Sequence, residues 1–193
     1  MGAPTDPRSR AGLHDVELAG LAAAGDRKCF GELVRRHGAA VRGLLRRMGA
    51  DPATADDLAQ DAFLAAFESI GEFRGEGTFA AWVKRIAARL YVRRWRKGAM
   101  TDLMAETPEP TGQPSPETET NRRLDLDEAM RTLSKAERMC VSLCYGAGLS
   151  HTEVAEALNA PLGTVKSHVK RGLDKLRGRL AAPTDQDGER VHG

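Results

Sequence analysis

The sequence predicts an all-α fold of two small helical domains joined by a flexible linker, the second containing a helix-turn-helix. Three observations lead there. Apolar residues recur at three- and four-residue steps in both halves of the chain. Between the halves, residues 98–121 carry Pro108, Pro110, Pro114 and Pro116 among Thr, Glu and Gly, with almost no large apolar side chain. Two Ser-x-x-Glu capping boxes then stand close together in the second half, each the signature of a helix start.

Residues 1–12 are polar with Pro and Gly, and predict a frayed end. From Leu13 the pattern turns helical. Phe30, Leu33, Val34, His37, Val41, Leu44, Leu45 and Met48 form one apolar stripe, which Gly49 and Asp51-Pro52 stop. In the next helix Ala59, Phe63, Ala66, Phe67 and Ile70 share a face. A Gly-containing connector, Arg74-Gly75-Glu76-Gly77, leads to Thr78, placed to cap a helix whose Phe79, Val83, Ile86 and Leu90 face inward, with Trp82 at the start of that face. The first domain, 13–97, thus closes as a helical bundle. The linker, 98–121, cannot offset the entropy of ordering it.

The second domain, 122–180, opens with Leu126, Ala129, Met130 and Leu133 at helical spacing. Ser134 and Glu137 box the next helix, expected to end near Gly146 or Gly148. Ser150 and Glu153 box a short helix running to about Leu158, and Asn159-Ala160-Pro161 breaks it. A final helix from about Gly163 turns Val165, Val169, Gly172, Leu176 and Leu180 inward. Glycine within a helix costs about 1 kcal/mol against alanine, and a close helix contact would explain Gly172.

Composition bounds the function. The 193 residues are 41% hydrophobic and only 5% aromatic, and the formal charge of +2 hides two basic blocks around an acidic strip. Three cysteines without a CxxC pair do not read as a secreted disulfide framework. No apolar run approaches the roughly 18 residues that span a bilayer, and the N-terminus has no signal core, so a cytoplasmic location is expected. No P-loop, HExxH or dinucleotide fingerprint occurs, which predicts no enzyme, no cofactor and no metal. Cys140 and Cys144, four residues apart, read as core fillers, with a metal or redox role as the alternative. His37, on an apolar stripe, reads as structural.

Two short capped helices around a tight break, the second rich in Lys and Arg, are the pattern of a helix-turn-helix that binds duplex DNA. Thr164, Ser167, His168 and Arg171 fall on the outer face of the second helix, with Lys166, Lys170 and Lys175 beside them. The first set can hydrogen-bond base edges in a major groove and the lysines can neutralise phosphates. In the first domain, Arg85, Arg89, Arg93 and Arg96 recur on one helix face, with Tyr91 and Trp95 nearby. Arginines track a phosphate chain and aromatics stack on unpaired bases, though both rings fit a core as well. One helix earlier, Asp57, Asp61, Leu64 and Glu68 make an acidic face with one exposed Leu, bordered by Gln60.

Leu149-Ser150-His151-Thr152-Glu153-Val154-Ala155 followed by Pro161-Leu162-Gly163-Thr164-Val165-Lys166-Ser167 resembles the second conserved domain of extracytoplasmic-function (ECF) sigma factors, within the sigma-70 family. LuxR-type response regulators share the Thr-Val-Lys element, but their phosphoacceptor α/β domain has no counterpart here. Instead Asp51-Pro52-Ala53, Asp56-Asp57-Leu58-Ala59-Gln60-Asp61-Ala62-Phe63-Leu64, Phe73-Arg74-Gly75-Glu76-Gly77-Thr78-Phe79 and Trp82-Val83-Lys84-Arg85-Ile86-Ala87 resemble the first conserved sigma domain. The resemblance implies that the helix of Asp57 to Glu68 docks on RNA polymerase core enzyme. It implies that Arg74 and the Arg85-to-Arg96 helix open the minus-10 promoter element, and that the C-terminal helix reads the minus-35 duplex. It also implies an anti-sigma partner. Arg89 and Arg93 depart from the Asn and Asp common in the family, so phosphate binding rather than base reading is expected of them. Two other readings stand beside it: a helix-turn-helix regulator outside polymerase, and a sigma mimic that titrates an anti-sigma factor.

Overall fold

A computed structural model describes residues 10–98 and 121–181. Among them there are helices and no strands, as the periodicity requires. The segment read as a linker lies outside the described residues, apart from its two ends: Gly98 closes one helix and Asn121 opens the next.

The first bundle comprises α1 (Asp15–Ala23), α2 (Arg27–Met48), α3 (Pro52–Glu68), a 3-10 turn (Ile70–Glu72) and α4 (Phe79–Gly98). The break between α1 and α2 escaped the sequence reading, although its signals are present. Gly25 takes the left-handed conformation at φ 104°, and the Asp26 carboxylate then accepts from the Lys28 and Cys29 amides at 2.9 and 3.4 Å. Asp15 fastens α1 to α2 by accepting from Arg36 at 3.1 Å and pairing with His37 at 2.7 Å, which bears out a structural His37. At the far end of α2, Gly49 caps in the left-handed region, Asp51 accepts from the Thr54 amide at 3.0 Å, and Pro52 opens α3. Thr78 caps α4 as expected, accepting from the Ala81 amide at 3.1 Å.

The phase of α4 differs from expectation. Phe79 and Val83 are fully buried, but the inward face continues through Ala87, Ala88, Tyr91 and Val92, while Ile86 and Leu90 sit at its edge. Small alanines at 87 and 88 let α4 pack directly against α2 and α3, and that approach decides which stripe is covered.

The second bundle comprises α5 (Asn121–Arg131), α6 (Lys135–Val141), a π turn (Ser142–Gly146), α7 (His151–Leu158) and α8 (Leu162–Ala181). Both capping boxes form. The Ser134 amide donates to Glu137 at 3.0 Å and the Ser150 amide to Glu153 at 2.8 Å, with the reciprocal bonds to the serine hydroxyls at 3.3 and 3.2 Å. Asn159, at φ 51°, makes the sharp stop before Pro161 that sets α8 across α7. The close contact that would explain Gly172 exists: a Cβ there would lie 2.8 Å from Val141 Cγ2, so glycine lets α8 approach α6 this closely.

Cys140 is buried and Cys144 half-buried, and burial pushes the Cys140 thiol up to about 12. Such a thiol stays protonated at neutral pH and is a poor nucleophile, which favours the core-filler reading. No group of His, Cys, Asp and Glu among the described residues is arranged to hold a metal.

Candidate nucleic-acid and polymerase interfaces

Three surfaces follow from this packing. On α3, the buried side is Ala55, Leu58, Ala59, Ala62, Phe63 and Ala66, which forces Asp57, Gln60, Asp61, Leu64 and Glu68 to the outside. Leu64 is 60% exposed, a large apolar side chain held in water among carboxylates. Beside it a shallow groove between α2 and α3 is floored by Phe30, Phe63 and Phe67 and rimmed by Val34, Gln60 and Leu64. An acidic face with an apolar seat at its centre has the anatomy of a protein-docking site.

The second surface lies on α4. Arg85, Arg89, Arg93 and Arg96 are all exposed, and Arg74 is exposed in the loop before the helix. Tyr91 leaves this set as a correction. It is 8% exposed and its hydroxyl donates to the Met48 carbonyl at 3.1 Å, so its ring fills the core and cannot take a base on its face. Trp95 is half-buried and packs against the core with one side, which leaves the other at the surface. Trp82 lies against Phe73 and Phe79 at centroid distances of 5.4 and 5.7 Å, in the structural role expected of it.

The third surface is α8. Val165 and Val169 are buried against α7, so Thr164, Lys166, Ser167, Lys170 and Arg171 are exposed and His168 is half-exposed. Arg171 Nη2 lies 3.1 Å from His168 Nδ1, pairing the two largest polar groups of the outer face. Ser167 donates to the Gly163 carbonyl at 2.9 Å and keeps its acceptor lone pairs outward. Lys175, in contrast to Lys166 and Lys170, is tied down. Its ammonium donates to both carboxylate oxygens of Glu137, at 3.0 and 2.7 Å, across the packed faces of α6 and α8. It therefore serves the domain's scaffold before any phosphate, and no local pattern could show a partner this far away in the chain.

Glu137 is the hub of that scaffold. It is nearly fully buried, accepts from the Ser134 amide and from Lys175, and lies 3.8 Å from Arg171. Burial alone would raise its pKa. The bonds from Lys175 and Ser134 together overcome that and hold it below the usual carboxylate value. A depressed folded-state pKa stabilises the protein above the unfolded value of about 4.3, and the benefit is lost as pH falls through the folded value. Glu137→Gln keeps the cap geometry and removes the charge. It is expected to cost about 2 kcal/mol at pH 7, with the gap to wild type closing below pH ~4. Urea melts of both proteins at pH 7 and 3 measure it; equal stability at pH 7 would deny the pair any role.

These surfaces coincide with segments known elsewhere. The family model described as sigma-70 region 2 matches residues 33–100, and that of sigma-70 region 4 matches residues 129–178. The chain is 35% identical over 177 residues to the RNA polymerase sigma factor NccH of Alcaligenes xylosoxydans xylosoxydans, covering 86% of this chain and 94% of that one. It is 30% identical over 182 residues to the ECF RNA polymerase sigma-E factor of Escherichia coli, covering 87% and 95%. Among solved structures, CnrH in complex with the cytosolic domain of CnrY superposes with a TM-score of 0.50 at 27% identity, over 88% of this chain and 99% of that one.

Proposed function

The chain belongs to the ECF group of the sigma-70 family, and from that premise we propose that it carries RNA polymerase core to promoters and reads them at two points. The supporting observation is the coexistence, in family order, of three solvent-facing surfaces of the required chemistry: acidic on α3, basic on α4, basic and hydrogen-bonding on α8. The acidic face of Asp57, Asp61 and Glu68, with Gln60 and Leu64, meets a basic surface of core polymerase. Arg74, Arg85, Arg89, Arg93 and Arg96, with the open side of Trp95, hold the separated strand of the minus-10 region by its phosphates. Thr164, Ser167, His168 and Arg171 read the minus-35 duplex in its major groove, and Lys166 and Lys170 grip its backbone.

The family is not an enzyme family, and the chemistry of initiation belongs to polymerase. CnrH has been captured with the cytosolic domain of CnrY, and an anti-sigma partner is part of the reading for this chain. No described helix is long and apolar enough to cross a membrane. The proposed place of action is that of polymerase and promoter, the cytoplasm, as for the sigma factors it resembles.

Run-off transcription with purified core polymerase tests the proposal. Addition of the protein is expected to produce promoter-specific transcripts that core alone does not make. A regulator outside polymerase, or a mimic that titrates an anti-sigma factor, yields none. In the same assay Arg89→Glu with Arg93→Glu should lower transcription and binding of single-stranded promoter DNA by at least about tenfold, since each reversal sets a carboxylate against phosphate. Normal binding by that double variant would overturn the assignment of α4.

A further inference from the structure

The carboxylate of Glu137 does more than its cap requires. Its side chain is 5% exposed, yet it serves two cations of α8 whose side chains are 53% and 48% exposed, one helical turn apart. Arg171 Nε lies 3.8 Å from Oε1, and Lys175 Nζ donates to Oε1 at 3.0 Å and to Oε2 at 2.7 Å. Gly172 lets α8 lie directly on this residue: a Cβ there would stand 3.5 Å from Glu137 Cβ and 3.7 Å from its carbonyl oxygen. The reciprocal cap with Ser134 fixes the carboxylate from its own side. A single anion on a rigid mount thus faces, from within the domain, the helix assigned to the minus-35 duplex.

The two cations are held in different ways. Arg171 is attracted through Nε and donates through Nη2 to His168 Nδ1 at 3.1 Å, so its guanidinium is held at two points. Both contacts leave Nη1 as a donor for a base edge. A long side chain set in place beforehand has no rotamers to give up when the duplex arrives, which strengthens binding at the matching site. Lys175, by contrast, commits its ammonium to the carboxylate. Released, it would add a phosphate contact, and phosphate contacts raise affinity for any sequence alike.

We propose that Glu137 is a specificity-determining residue that acts through α8 without touching DNA. It sets Arg171 for one base and withholds Lys175 from the phosphates, and so widens the gap between the promoter and every other duplex. The proposal rests on the reading of α8 as the minus-35 surface, and the test separates the two.

Holoenzyme assembled from core polymerase and the full-length chain is titrated, over a series of salt concentrations, with two duplexes. One carries the minus-35 element of a promoter that it transcribes, and the other a scrambled sequence of the same composition. Glu137→Gln keeps an accepting oxygen for the cap and removes the charge. The ratio of the two affinities is expected to fall at least about tenfold, a loss of the size that goes with one base contact. The scrambled duplex should be bound more tightly than by wild type, and the slope of log K against log salt should steepen by about one, as Lys175 reaches a phosphate. Adding Lys175→Met should restore the slope, and the loss attributable to Arg171 should vanish when Arg171→Ala is already present.

A purely structural Glu137 predicts another pattern, in which both affinities weaken together and neither ratio nor slope changes. That result overturns the proposal, as does a steeper slope that survives Lys175→Met. If Glu137→Gln loses helical content, Glu137→Asp keeps the charge but draws it back by one methylene. It is expected to lower the ratio about threefold by loosening Arg171, and an unchanged ratio there is equally fatal. Wild-type discrimination that survives Arg171→Ala with Ser167→Ala faults the reading of α8 itself.

Discussion

Charge reversal at Asp57 and Asp61 together, each to Lys, is expected to weaken binding of RNA polymerase core about a hundredfold and to abolish promoter-specific run-off. Both residues are exposed on α3, one helical turn apart, so the substitution leaves the core of the bundle untouched. Lysine is at least as good a helix former as aspartate, so the helix itself is not at risk. The loss comes from the partner. A rim contact between opposite charges becomes a clash of like charges, and two such reversals at about 1.4 kcal/mol each give two decades in affinity. Leu64→Ala should act in the same direction through the apolar seat beside Phe63 and Phe67, but without changing the salt dependence. Pull-down of core at several salt concentrations separates the two effects. Unchanged capture of core by the double variant would sink docking through α3.

Much of this architecture could be read from the chain because its signals are local. Ser134 with Glu137 and Ser150 with Glu153 each close a reciprocal cap three residues wide, and Gly49 and Asp51-Pro52 punctuate the helices between which they stand. A close approach would account for a glycine at 172, and Val141 fills the space there. The sequence was silent where the decision is tertiary. Along α4, the sets Phe79, Val83, Ile86, Leu90 and Phe79, Val83, Ala87, Tyr91 fit a helical stripe equally well. Packing of α2 and α3 chose the second set, which drew Tyr91 inward. Lys175 looked like a phosphate ligand until folding brought it to Glu137, 38 residues away. The hydrogen bond from Arg85 to the Gly148 carbonyl spans 63 residues and leaves no periodic trace. The candidate surfaces on α3 and α8 were legible because burying one face of an amphipathic helix exposes the other.

Phe79→Ala is expected to be the most damaging single truncation in the first bundle, costing about 3–5 kcal/mol. Phe79 is fully buried at the first turn of α4, and its ring meets those of Phe30, Phe73 and Trp82 at centroid distances of 6.4, 5.6 and 5.7 Å, with His37 at 5.5 Å. Deleting it removes the transfer energy of the ring and leaves a cavity bordered by large, stiff rings, which collapse poorly into the space. For a bundle of this size the melting temperature should fall by at least about 12 °C. The consequence reaches function because of where Phe79 sits. It follows directly on Thr78, at the end of the loop that carries Arg74, so it anchors the start of the basic helix as well as the core. Phe79→Leu, which refills most of the volume, should recover most of the stability and the single-strand binding together. Thermal melts and oligonucleotide binding of both variants decide the matter: a Phe79→Ala protein that melts like wild type would mean that Phe30 and Trp82 hold the loop without the ring between them.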